Sequence, residues 1–315
     1  MPNASSFIPE SAYFLTRYNG KQPDTPQWFQ TAIANQPERR HFSSDGTDIE
    51  LLTWGKIGNP GLLFIHGNRA HADWWSFIAP FFAAEWRCAA FSFSGMGNSP
   101  CRVERSTVTD FANEAVHAVS AAELGLGGRP IIIGHSLGGA VGVAAAAAHE
   151  VFRGLILVDS PVDFDPERAK RSAPHAKKSY LTHRPFSSLQ AGLARFRLSP
   201  PQPCLNDFIG DYIARRALVE QDGKWFWRFD PRGIAFGSTL HSDRLAKLHC
   251  PTAFIYGDRS GLVTPPVVDA ARQLLAPDTP FIAIPDAAHH VPIDQPIALV
   301  SVLRALLSLW PVPAR

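Results

Sequence analysis

The chain has 315 residues, 45% hydrophobic and 18% charged, with a formal net charge of +2. Such a chain buries a sizeable core and is not disordered, and 30 basic against 28 acidic residues leave no electrostatic footprint for nucleic acid. Its 23 glycines and 27 prolines follow no period, which excludes a collagen-like fibre.

Residues 1–37 are polar and punctuated by proline, and read as an arm wrapping the domain. Glu38–Phe42 and Asp48–Trp54 flank Ser44-Asp45-Gly46-Thr47, whose Asp-Gly pair predicts a hairpin. Leu62–Ile65 reads as a short buried strand ending at His66-Gly67-Asn68, and Asp73–Ala84 as an amphipathic helical stretch. Trp86–Phe93 is a strand closing on Gly95-Met96-Gly97-Asn98-Ser99, and Ser106–Leu124 is helical. Pro130–Gly134 is a strand running straight into a Gly/Ala-rich helix, Leu137–His149, and Gly154–Val158 is the next strand. After a long interruption come Pro251–Tyr256, a helix near Pro266–Leu275, Pro280–Pro285 and a last helix from Pro296 to Leu309. Short β-branched runs alternating with helices predict an α/β fold: a mostly parallel sheet with helices on both faces.

The interruption, residues 161–241, holds proline-rich turns, a helix-like piece Asp207–Val219 and the aromatic cluster Trp225-Phe226-Trp227-Arg228-Phe229. It carries +5, against −3 for the remainder. The spacing predicts a helical cap (lid) over a core of residues 38–160 and 242–315, because such aromatics need an apolar surface to cover. The basic cluster Arg168, Lys170, Arg171, Lys177, Lys178 and Arg184 reads as a solvated cap surface.

Cys88, Cys101, Cys204 and Cys250 lie far apart, without zinc-type spacing or a disulfide framework. The N-terminal stretch has no secretory pattern, and the longest apolar run, Leu137 to Ala148, falls short of the roughly 20 residues of a membrane span. The expectation is a cytoplasmic protein acting on a small molecule, with neither membrane nor nucleic acid as partner.

The chemistry concentrates at Gly134-His135-Ser136-Leu137-Gly138, a G-x-S-x-G pattern with a strand before it and a helix after it. That context puts Ser136 on a sharp turn whose flanking positions must be nearly free of side chain, with its Oγ projecting at a helix N-terminus. There the Leu137 N–H and the helix dipole can stabilise developing negative charge.

His66-Gly67-Asn68, Gly95-x-Gly97-x-Ser99, Gly134-His135-Ser136-Leu137-Gly138-Gly139 and a late His289 occur in this order. From about Glu38 to the C-terminus the chain resembles the α/β-hydrolase fold with a cap after the strand Gly154–Val158. The resemblance implies Ser136 as nucleophile, His289 rather than His290 as its base, and the Asn68 and Leu137 N–H groups as oxyanion hole. It implies no metal and no organic cofactor. Asn68 after His-Gly also resembles haloalkane dehalogenases, but those need an Asp nucleophile where this chain has Ser136. His66 reads as a hydrogen-bonded structural histidine, whereas His71 and Trp74-Trp75 either line a pocket or pack the sheet.

The chain departs from the family at the acid. The commonest pattern, Gly-x-x-Asp, here reads Gly257-Asp258-Arg259-Ser260, so the usual position holds a serine. Asp159, closing the strand Gly154–Val158, becomes the first choice. Asp258 and Asp286 remain alternatives. The activity implied is hydrolysis of a small-to-medium, largely apolar carboxylic ester through an acyl-enzyme. Cleavage of C–C bonds in ring-cleavage products, or ligand binding with little turnover, are the other readings.

Overall fold

The computed structural model describes residues 13–161, 184–234 and 242–310. Eight strands form one sheet: β1 (Glu38–Ser44), β2 (Thr47–Trp54), β3 (Gly61–Ile65), β4 (Arg87–Phe91), β5 (Ile131–His135), β6 (Gly154–Val158), and, after the insertion, β9 (Thr252–Gly257) and β10 (Phe281–Ile284). Their spatial order is β1-β2-β4-β3-β5-β6-β9-β10. β2 runs antiparallel to both its neighbours, and every pairing from β4 to β10 is parallel. Because the order reverses between β3 and β5, a crevice opens beyond the carboxyl ends of these strands.

Strand alternation divides the core in two. Leu62 and Phe64 of β3, with Ile131 and Ile133 of β5, face one layer; Leu63, Ile65 and Ile132 face the other. The second layer is covered by α2 (Val108–Ala121), α3 (Leu137–Ala148) and, further along the chain, the helix Pro265–Leu274. α2 starts at a reciprocal cap, with Thr107 Oγ1 accepting from the Asp110 N–H and the Asp110 carboxylate accepting from the Thr107 N–H. The first layer is covered by the C-terminal helix Pro296–Leu309 through Leu299, Leu303 and Leu307.

Asp73–Ala84 forms two short 3-10 turns, Ala72–Trp75 and Ala79–Phe81, instead of the expected helix. Pro80 sits inside the second turn, and Trp74, Trp75, Phe77 and Ile78 are all buried, so no solvent-facing stripe exists for an amphipathic helix to present. In the insertion, α4 (Leu189–Leu193) and α5 (Asp207–Arg216) are followed by an antiparallel hairpin of β7 (Leu218–Gln221) and β8 (Lys224–Trp227). The expected helix Asp207–Val219 thus ends at Arg216, and the aromatic cluster lies largely on β8. The hairpin turns at Asp222-Gly223, both with positive φ (50° and 73°), as at Asp45-Gly46.

The insertion docks over the carboxyl ends of the strands. Gly97 N–H donates to Arg228 O (3.0 Å), and Asp230 N–H to Gly95 O (2.6 Å). Ahead of β1, helix α1 (Gln27–Ala34) inserts Phe29 between Phe77 of the core and Phe208 and Tyr212 of α5, with ring centroids 5.0–5.9 Å apart. Tyr18 Oη donates to Asp207 (2.7 Å), and Arg215 to Gly20 O (2.7 Å). The arm residues therefore bridge core and insertion. The basic cluster from Arg168 to Lys178 lies outside the described residues.

Candidate active site

Ser136 follows β5 and opens α3 with φ 54° and ψ −119°, a conformation that L-residues avoid. It is over-determined by its surroundings: the Ser136 N–H donates to Val158 O (3.0 Å), and Ser136 O accepts from Gly139 N–H (3.0 Å). A Cβ at Gly134 would overlap the Gly138 carbonyl, and one at Gly138 would overlap Ile65 O, so neither position admits a side chain. Close packing of β3, β5 and α3 is what aims the serine out of the sheet.

His289 comes from the loop after β10. Its Nε2 lies 3.0 Å from Ser136 Oγ and its Nδ1 lies 2.7 Å from Asp159 Oδ1. Asp159 ends β6, also at positive φ (45°), with its N–H bonded to Ile255 O of the adjacent β9 (2.8 Å). Its carboxylate is fully buried and fully used: Oδ1 also accepts from Ser260 Oγ (2.7 Å), and Oδ2 accepts from Gly257 N–H (2.9 Å). Three donors around one buried carboxylate are the compensation that such a charge requires.

The other two acid candidates do not reach this hydrogen-bonded series. Asp258 is exposed. Asp286 is exposed and ion-paired with Arg259. Ser260, which occupies the family's usual acid position, instead donates its hydroxyl to Asp159; the sequence shows the missing charge there but not this bond. Of the groups expected to hold an oxyanion, Leu137 is the first residue of α3, where the N–H has no intrahelical acceptor. Asn68 is exposed in the loop after β3, whose Gly67 packs so close to Ser136 that an added Cβ would lie 3.3 Å from the serine Cβ.

The surrounding histidines are buried and neutral. His66 donates from Nδ1 to Gly67 O (2.7 Å) and accepts at Nε2 from Phe93 N–H (3.1 Å); burial pushes it down to about 3. Burial, with a smaller effect from His289, pushes His135 down to about 3. His71, also lowered by burial, donates to Ile213 O of α5 (3.0 Å) and so ties the insertion to the core. Trp74 stacks on His135 at 6.1 Å beside the serine, whereas Trp75 packs on Phe64 in the sheet layer.

Two residues with no evident sequence signal brace the histidine loop from the insertion. Gln202 donates to both oxygens of Asp294 (2.9 and 2.8 Å) and accepts from His290 N–H (3.2 Å). Asn206 donates to Ile293 O (2.7 Å). Asp294 in turn accepts from Ala288 N–H (2.8 Å), one residue before His289. Burial, aided by nearby Asp159, raises the Asp294 carboxyl above its ordinary value.

Buried neutral histidines make the fold acid-sensitive. For His66 and His135 the folded-state value lies below the unfolded one, near 6.5, so their contribution is complete above pH 6.5 and is lost as pH falls toward 3. Between pH 7.5 and 5.5 each should cost on the order of 1 kcal/mol of stability. Urea denaturation at the two pH values should show a lower midpoint at pH 5.5, with the drop reduced in His66→Asn or His135→Asn. An unchanged midpoint would contradict the buried neutral assignment.

The sequence pattern of the Alpha/beta hydrolase family matches residues 62–302. Esterase Rv0045c of Mycobacterium tuberculosis (strain ATCC 25618 / H37Rv) is 26% identical over 264 residues, covering 82% of this chain and 86% of that protein. Lipase LipV of the same organism is 27% identical over 268 residues, covering 82% and 98%. Among solved structures, E-2-(acetamidomethylene)succinate hydrolase superposes with a TM-score of 0.74 at 20% identity, covering 86% of this chain and 99% of that one. Among the described residues no helix is long and apolar enough to cross a membrane. With its sheet order, its strained serine turn and a family match over most of its length, this chain belongs to the alpha/beta hydrolase family and is a hydrolase.

Proposed function

We propose that the protein is a serine hydrolase that cleaves small-to-medium, largely apolar carboxylic esters through an acyl-enzyme. The observation that carries this is the hydrogen-bonded series Ser136–His289–Asp159, with distances of 3.0 and 2.7 Å. His289 Nε2 takes the Ser136 proton as Oγ attacks the ester carbonyl carbon. The Asn68 and Leu137 N–H groups hold the oxygen as it becomes negative. His289 then protonates the departing alcohol. Water, deprotonated by the same nitrogen, attacks the acyl carbon, and the proton returns to Ser136. Asp159 holds the imidazole with Nδ1 protonated and stabilises its charged form.

The 26–27% identity to an esterase and a lipase supports an ester as the substrate. An apolar acyl group is favoured by Trp74, whose ring packs on His135 and His290 next to Ser136 and His289 in the chain. The low-turnover reading has its motive in the serine at position 260; the buried Asp159 beside His289 supports turnover instead. The core and cap division at residues 161 and 241 belongs to the same proposal: the insertion acts as a lid.

A p-nitrophenyl ester series from acetate to dodecanoate tests this. Wild type should label with a fluorophosphonate and show its highest kcat/KM on short or medium acyl chains. Absence of both labelling and turnover across the series would overturn the proposal.

A further inference from the structure

Three buried histidines meet at the serine. His135, His289 and His290 are each 3% exposed or less, and each can offer a ring nitrogen within 4.8 Å of the other two. Two of the three carry an atom that the described residues leave unanswered: among them, His135 Nδ1 and His290 Nδ1 are buried without a hydrogen-bond partner. A buried, unsatisfied imidazole nitrogen costs stability, and two of the three clustered rings carry one.

The remaining nitrogens give the direction. His135 Nε2 lies 2.9 Å from His289 O, His290 Nε2 lies 3.4 Å from Pro200 O, and His289 Nδ1 lies 2.7 Å from Asp159 Oδ1. Each of these oxygens can only accept, so each of these nitrogens carries the proton. The opposite nitrogen of each neutral ring then offers a lone pair: Nδ1 of His135 and Nδ1 of His290 have no partner among the described residues, and Nε2 of His289 faces Ser136 Oγ at 3.0 Å. Metal-binding histidines are built this way, with the far N–H donated to a carbonyl or carboxylate that fixes the tautomer.

We propose that His135, His289 and His290 bind a borderline transition-metal dication, with Zn2+ as the reference ion, and that occupancy switches the site off. Three imidazoles suit Zn2+, Co2+ or Ni2+ and do not suit Mg2+ or Ca2+, which take oxygen. The ion leaves a fourth position open toward Ser136, the partly exposed residue at the entrance. At Zn–N of about 2.0–2.1 Å the nitrogens of a tetrahedral site stand about 3.3 Å apart, so the rings must draw together on binding. That movement weakens the site relative to a preformed one, as suits a reversible ligand rather than a resident cofactor. Occupancy uses the His289 lone pair that would take the serine proton. The loss of turnover rests on the serine-hydrolase reading; metal binding itself does not.

The test uses the full chain, freed of metal with a chelator and titrated with Zn2+ and, for its visible bands, Co2+. One equivalent should bind to wild type and equally to Ser136→Ala. X-ray absorption of the Zn2+-loaded wild type should show three imidazoles and no sulfur. His135→Gln and His290→Gln, each checked for fold by circular dichroism, should weaken binding at least about tenfold. Mg2+ should not compete. Ester hydrolysis by wild type should fall with Zn2+ and return with chelator. Sulfur ligands, fewer than three imidazoles, or undiminished affinity in folded His135→Gln/His290→Gln would overturn the site. If the variants do not fold, the absorption spectrum of wild type decides alone. Three imidazoles in a protein that hydrolyses no ester would keep the metal site and sink the esterase reading instead.

Discussion

Ser136→Ala lowers kcat for the best ester by on the order of 10⁶-fold and abolishes fluorophosphonate labelling, if Oγ is the attacking atom. The residue left behind cannot form the acyl-enzyme, and catalysis falls to what the oxyanion donors and substrate binding supply, about 10³–10⁴-fold over water. Labelling that survived in the variant would place the nucleophile elsewhere. A companion change separates chemistry from fold. Ser136→Gly should be equally inactive, yet its thermal midpoint should rise, because glycine accepts φ 54° and ψ −119° without the steric cost that serine bears there. The gain should be about 1 kcal/mol, the strain released less the extra chain entropy. A variant both inactive and less stable would mean that the serine hydroxyl is a structural group.

Asp159→Asn comes next in size. The amide is isosteric but presents no charge, so His289 loses the partner that fixes its tautomer, and kcat should drop by about 10⁴-fold. Asp258→Asn, on an exposed side chain, should leave kcat within about twofold, in line with other surface substitutions. Ser260→Ala removes one charge-assisted bond to Asp159, worth about 1.5–3 kcal/mol, and should fall between the two. Adding Ser260→Asp to Asp159→Asn moves the carboxylate to the position commoner in the family and should recover part of the lost rate. The reverse ranking, with Asp258→Asn the more damaging, would reassign the acid.

The fold is largely legible in the sequence because its signals are local. Alternating apolar runs, Gly134 and Gly138 around Ser136, and the Asp45-Gly46 hairpin are each decided within a few residues. The proposed acid is harder, because its place depends on which strands lie side by side. β6 and β9 pair with Val158 opposite Ile255, so Asp159 and Gly257 meet across almost 100 residues of intervening chain. Nothing local to either segment reports that pairing. Two expectations fail where a stronger local rule is present. Pro80 and the density of aromatics at 74–82 argue against a regular helix. Asp222-Gly223 repeats the signal at Asp45-Gly46, yet an adjacent helical pattern in α5 conceals it. The bracing by Gln202 and Asn206 is invisible, since side-chain bonds between distant loops leave no periodic trace.

Phe29 carries a practical meaning for anyone dissecting this protein. The family match begins at residue 62, so a fragment cut to that boundary would discard the aromatic plug that fills the seam between Phe77, Phe208 and Tyr212. It would also discard β1 and β2, opening β4 as an unpaired edge. What homology marks as the domain is thus smaller than what physics requires as the folding unit. The aromatic wedge ahead of the first strand is an intramolecular gasket, and the smallest workable fragment must keep it.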